Sequence, residues 1–245
     1  MNILGYSERG VLNSLFYEIG YSPQAENLLE TLLSCARFPF LDWRPPSVES
    51  AEILIEQSFS DFGDADAVLL INTGQQAISV FVEAKVKSYQ RSRWSIDEEF
   101  ATFMAGTRSR VRSSNLFTQL YHKLRLLESL RQGGSTLLQA GVGFPQSSSK
   151  RSRKIGNNGV VLQAVSRLEK HLDASYYLAL VPDDQAKVAA FFDGVLRRER
   201  PQDYPDWDVS HFGYVTWAQV EAFCREQSLQ NTQQVFAFNE GQIYD

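Results

Sequence analysis

The sequence predicts an α/β protein with a mixed central sheet flanked by helices, and three features of the pattern carry that prediction. Two amphipathic helical segments come before any strand. Three apolar runs follow at 51–60 (AEILIEQSFS), 66–72 (DAVLLIN) and 77–86 (AISVFVEAKV), with Gly63 and Gly74 in the turns between them. Helical and extended segments then alternate to the end of the chain. Short connections between the first three strands imply antiparallel neighbours, and the later alternation implies parallel ones with helices covering both faces.

The elements are justified in order by local chemistry. Ser7 is placed to cap a first helix over 8–19, which stops at Gly20, and Ser22-Pro23 opens a second over 23–36. Pro39, Pro45 and Pro46 break the chain before the three strands. Ser95, with Glu98 three residues on, reads as the start of a third helix; a fourth runs from Asn115 to about Gln132, and a fifth follows Asn158. A strand at 175–181 (SYYLALV) is followed by a helix over 184–198, a strand at HFGYV, a helix capped by Thr216 and a last strand at QVFAF. Nothing resembling a linker divides the 245 residues, so one domain spanning 1–245 is expected, with QSSSKRSRK making an exposed basic loop at about 146–158.

Composition excludes several classes. With 43% hydrophobic and 22% charged residues the chain is neither disordered nor collagenous. Two cysteines, Cys35 and Cys224, are too few for a disulfide framework or a cysteine zinc site. The start, MNILGYSERG, has no basic lead or sustained apolar run, so no signal peptide or membrane span is expected and a cytoplasmic location follows. No phosphate-binding glycine loop, dinucleotide fingerprint, nucleophile elbow or zinc spacing is present, and His122, His171 and His211 are scattered.

The net charge of −5 hides an asymmetry: residues 1–82 carry −8, residues 83–154 carry +9 and residues 155–245 carry −6. A basic segment set in an acidic body suits a polyanionic partner, although charge runs are also common as plain solvated faces.

That basic segment begins at the most informative stretch, Asp61 to Lys87. Side chains alternate across a strand, so Ile78, Val80, Val82, Ala84 and Val86 share one apolar face while Phe81, Glu83, Lys85 and Lys87 share the other. An antiparallel hairpin of this length brings Asp66, just before Ala67 to Ile71, beside Glu83 and Lys85. Hard divalent ions are held by one or two carboxylates together with phosphate oxygens and water, which gives such a pair beside a lysine a chemical use. Asp64 has the same strand parity as Asp66, so either aspartate is a candidate ligand.

Asp66, Glu83-Ala84-Lys85 and their strand context resemble the PD-(D/E)XK nuclease superfamily, the restriction-endonuclease-like fold. Ala65 stands where that family has a proline. The resemblance implies a Mg²⁺-dependent nuclease, with Mn²⁺ as a substitute, hydrolysing phosphodiester bonds of nucleic acid, DNA in the first place, by metal-activated water. Asp66 and Glu83 would hold the metal with help from the Ala84 carbonyl, and Lys85 would stabilise charge or orient water. Family members add a helix glutamate, for which Glu8 is the candidate because it lies near the centre of the stripe Val11, Leu12, Leu15, Phe16 and Ile19. Glu8 could equally serve the helix dipole, and Glu26 is the substitute. Some members carry a glutamine, often with a tyrosine, on the helix after the E-x-K strand. Gln119 and Tyr121 occupy that place beside the stripe Leu116, Leu120, Leu124 and Leu127. Lys87, Arg91, Arg93, Arg108, Arg110, Arg112, Lys150, Arg151, Arg153 and Lys154 are candidate backbone contacts, with Tyr89 and Trp94 as stacking residues. The competing reading is a non-catalytic nucleic-acid-binding or assembly subunit that keeps the fold. A second copy or other subunits of a defence or repair system are candidate partners.

Overall fold

The computed structural model describes residues 3–89, 92–105, 114–143, 152–199, 201, 204 and 206–243. Along the chain these form α1 (Ser7–Gly20), α2 (Ala25–Ser34), β1 (Ser50–Ser58), a 3₁₀ turn (Ser60–Phe62), β2 (Asp64–Asn72) and β3 (Ala77–Ala84). Next come β4 (Ser88–Tyr89), β5 (Ser92–Arg93), α3 (Ile96–Met104), α4 (Leu116–Ala140), β6 (Val142–Gly143), β7 (Ser152–Arg153) and α5 (Gly159–Leu168). The chain closes with β8 (Ala174–Val181), α6 (Gln185–Phe191) running into a π turn (Phe192–Leu196), β9 (Phe212–Thr216), α7 (Trp217–Glu226), α8 (Gln230–Phe238) and α9 (Glu240–Ile243).

Five strands form one mixed sheet in the order β1-β2-β3-β8-β9, with β1, β2 and β3 antiparallel and β3, β8 and β9 parallel. The strands β2, β3, β8 and β9 are largely buried and apolar on both faces, as a sheet covered by helices on each side requires, whereas the edge strand β1 is more exposed. Val68, Leu70, Phe81 and Tyr177 point into a core shared with α3, α4 and α5. Leu69, Ile71, Ile78, Val80, Val82 and Ala84 point into a second core closed by α1, α2, α7 and α8. The β9 edge is covered by the segment before β1, where Arg37 and Tyr214 exchange backbone hydrogen bonds of 2.8 and 2.9 Å. Among the described residues no helix is long and apolar enough to cross a membrane.

Several expected elements are changed in detail, each for a local reason. The segment QVFAF is helical, within α8, because Thr232, Val235, Phe236 and Asn239 bury one helical face. A five-residue apolar run is too short for its period to distinguish strand from helix. Ser7 is the first residue of α1 rather than its cap: its amide is taken by Asn239 Oδ1 at 2.7 Å and its hydroxyl donates to Glu8. Ser95 precedes α3 but makes no capping bond; its hydroxyl accepts from Lys187 Nζ at 3.1 Å, while Asp183 Oδ2 accepts from the Ile96 amide at 3.1 Å. The fourth helix extends to Ala140 across a break at Gly134 (φ 61°). Asn115, Asn158, Asp184 and Thr216 do cap helices, Thr216 in a capping box with Gln219.

At Gly213 in β9 an added Cβ would lie 2.5 Å from a Phe38 ring carbon, in the segment that closes this edge. Gly213→Ala is therefore expected to lower stability by about 1–3 kcal/mol through overpacking. The check is the denaturant midpoint measured at unchanged slope.

Candidate active site

The β2–β3 hairpin delivers two carboxylates to one place. The ladder's last pair is Ala67 with Val82, and one step further along the same register sets Asp66 opposite Glu83. Asp66 Oδ2 accepts from the Ala84 amide at 2.7 Å, which fixes this carboxylate across the gap left by the ladder. On the other side Asp66 faces Glu56, whose backbone adopts a positive φ of 50° and interrupts the β1–β2 pairing there. Asp66 is half-buried, whereas Asp64 is exposed and reaches Lys123 through its backbone carbonyl, and of the two only Asp66 is among the charges that act on Glu83. Of the two aspartates, Asp66 is therefore the one placed beside Glu83.

Lys85 lies just beyond β3 with its backbone held on both sides, its amide donating to Leu180 O at 2.9 Å and its carbonyl accepting from Trp217 Nε1 at 2.7 Å. Its ammonium donates to Gln119 Oε1 on α4 at 2.5 Å. Four residues along the same helix, Lys123 Nζ stands 3.4 Å from Glu83 Oε1, and both side chains are 0% exposed. Lys123 also donates to Phe62 O at 3.1 Å and Asp64 O at 2.9 Å. Four helical residues rise about 6 Å and two strand residues about 6.6 Å, so Gln119 and Lys123 match the spacing of Lys85 and Glu83. α4 thus runs antiparallel to β3 across the site.

Sequence reasoning passed over Lys123. The signal was present, since it lies seven residues after Leu116 and four before Leu127, within the apolar stripe of α4. A lysine at such a position needs a buried acceptor. Tyr121 does not accompany Gln119 to Lys85; it is fully buried among Phe103, Tyr204 and Trp207.

Burial dominates the electrostatics. It pushes the Glu83 carboxyl up from 4.5 to about 7, with Asp66 adding to the rise and Lys123 and Lys85 opposing it. Burial also lowers Lys123, against the pull of Glu83, Asp64 and Asp66. Neither Glu83 oxygen has a hydrogen-bond donor among the described residues, so the 3.4 Å contact with Lys123 is an ion pair rather than a short hydrogen bond.

The other candidates lie further out or in other company. Glu8 is half-buried and takes the Ser7 hydroxyl, while Glu26 is exposed along a groove with Tyr17 and Tyr21. Their helices pack on the sheet face opposite Glu83, and the charges that act on Glu83 come from Lys123, Asp66 and Lys85. Lys87 is half-buried at a crevice with Asp183, Thr216 and Gln219, its backbone bonded to Gln242 and Trp94. The Arg153 guanidinium reaches the Asp61 carbonyl and the Lys154 amide donates to the Asp61 carboxylate, so both pack against the turn whose Phe62 carbonyl binds Lys123. Trp94 packs partly buried against the core. Arg91, Arg108, Arg110, Arg112, Lys150 and Arg151 lie outside the described residues, as do the side chains of Tyr89 and Arg93.

Among the described residues no three or more His, Cys, Asp or Glu side chains converge as a metal cage. Asp66 and Glu83 supply a two-carboxylate donor set, and the donor-free Glu83 oxygens are acceptors in want of a partner. That set fits Mg²⁺ or Mn²⁺, which take one or two carboxylates and complete their shell with water and phosphate. Comparison of the chain with family models, curated proteins and solved structures returns no match.

Because Glu83 binds its proton more readily folded than unfolded, its contribution to stability is full below about pH 4.5 and is lost as the pH rises through about 7. Glu83→Gln is expected to remove this fall. Chemical denaturation from pH 4.5 to 8 provides the measurement, and identical pH dependence in both proteins would count against the assignment.

Proposed function

We propose that this chain is a divalent-metal-dependent nuclease that hydrolyses nucleic-acid phosphodiester bonds, DNA in the first place. The observation that carries the reading is the adjacent pair Asp66 and Glu83 on one sheet face, with the Lys85 ammonium oriented by Gln119 and both Glu83 oxygens lacking hydrogen-bond donors among the described residues. Asp66 placed on the second strand and Glu-x-Lys ending the third, with an antiparallel β1-β2-β3 meander, support a restriction-endonuclease-like core.

In this reading Asp66 and Glu83 hold the ion, with the Ala84 carbonyl assisting. A bound Mg²⁺ supplies Lewis-acid stabilisation of the phosphate charge and lowers the pKa of water. The chain's own residues do the positioning. Asp66 is locked by the Ala84 amide, so its remaining oxygen is presented without loss of side-chain order. The Lys85 head group, half-buried and aligned by Gln119, neutralises a phosphate oxygen or orients the attacking water. Arg153 and Lys154 offer positive charge along the turn before β2. The free thiols Cys35 and Cys224 suit a cytoplasmic location.

The complete burial of Glu83 against Lys123 favours a second reading, a nucleic-acid-binding subunit whose acidic pair is structural.

Cleavage of linear, nicked, branched and single-stranded substrates in Mg²⁺ or Mn²⁺, with EDTA as control, separates the two. Asp66→Asn, Glu83→Gln and Lys85→Ala are each expected to slow cleavage about 10²–10³-fold or more while the native circular dichroism is kept. Full activity in any of them refutes the catalytic roles, and EDTA-resistant binding with no cleavage by the wild type selects the subunit reading.

A further inference from the structure

The Lys123 ammonium donates to two carbonyls, those of Phe62 and Asp64, and stands 3.4 Å from Glu83 Oε1. Two carbonyl oxygens and a carboxylate around one nitrogen favour the charged ammonium. Glu83 therefore already has one cation against Oε1 before any ion arrives. With Glu83 ionised, Asp66 and Glu83 carry two negative charges against the two positive ones of Lys85 and Lys123, and these four groups balance. A divalent ion entering it meets two acids and, at close range, a fixed positive charge that the protein's low dielectric screens poorly.

We propose that Lys123 is a built-in counter-cation that restricts the acidic pair to a single, weakly held divalent ion, so that firm ion binding waits for the phosphate of the substrate. This rests on the reading of Asp66 and Glu83 as metal ligands. Lys123 is accordingly a positioning residue. It acts on the ion through Glu83 and the entrance to β2, and it need not touch substrate. The turn it grips is also hydrogen-bonded through Asp61 by Arg153 and Lys154, so the group that opposes the ion and the basic residues of that segment meet at one turn.

The test is a Mn²⁺ titration of the full chain without nucleic acid, with free ion followed by electron paramagnetic resonance, in wild type, Lys123→Met, Lys123→Arg and Glu83→Gln. The expected outcome is one ion per chain in the wild type, at least tenfold tighter binding in Lys123→Met, return to the weak affinity in Lys123→Arg and loss of binding in Glu83→Gln. A merely structural lysine would give the opposite sign, because its removal would loosen the ligands and weaken the ion. Unchanged or weaker binding in a natively folded Lys123→Met overturns the proposal. Two ions bound by the wild type overturn it too, which keeps it testable should Lys123→Met fail to fold. The function and the inference fail separately: tighter binding without any cleavage leaves Lys123 in its role and removes the nuclease, whereas cleavage with unaltered affinity does the reverse.

Discussion

A lysine ammonium shut away from water must find its partners inside the protein, and Lys123 finds them on separate pieces of chain: carbonyls of the turn before β2 and of the first residue of β2, and the charge of Glu83 on β3. Taking a charge out of water carries a penalty of several kcal/mol per ion, and removing one partner of such a pair typically costs about 3–5 kcal/mol. The interaction therefore constrains more than its own atoms. It pins α4 onto the sheet at one residue, and helical geometry then sets Gln119, one turn earlier, over Lys85. The contacts of Glu83 and Lys85 with α4 are two ends of one helix–strand match.

The same constraint decides what the site can do. Glu83 is held apart from solvent by the packing that surrounds Phe81 and α4, and its oxygens have no donor among the described residues. Desolvation raises the free energy of the carboxylate and makes any nearby cation more attractive to it. Lys123 meets part of that demand. The remainder is what a hard divalent ion shared with Asp66 would satisfy, and the half-buried Lys85 stands at the more accessible side, where a phosphate has room to approach.

Much of this was legible in the chain, and the reasons are specific. Strand parity alone separated Ile78, Val80, Val82 and Ala84 from Phe81, Glu83 and Lys85, because alternation is imposed by the pleat whatever the fold. Hairpin length placed Asp66 across from Glu83, since only a short turn joins β2 to β3. The mixed character of the sheet followed from the three-strand meander and the later alternation of helix and strand, while the neighbours β3–β8 and β8–β9 are given by the structure alone. Other features depended on tertiary partners. Asp183 rather than Ser95 serves the start of α3, and Asn239 reaches back to Ser7 across 232 positions, contacts that no local pattern encodes. The helical state of QVFAF was settled by what Val235 and Phe236 pack against. Lys123 was hidden for a different reason: a lysine is read by default as surface, and only the phase of Leu116, Leu120 and Leu127 marked it as interior.

The central claim is that Asp66 and Glu83 form a divalent-ion site beside a resident lysine. A crystal structure grown with Mn²⁺ and phased on its anomalous signal tests it most directly. The account predicts one anomalous peak at about 2.1 Å from carboxylate oxygens of both Asp66 and Glu83, with Lys123 still bonded to the Phe62 and Asp64 carbonyls. No peak at saturating Mn²⁺, or a peak that leaves Glu83 sealed against Lys123, would contradict it.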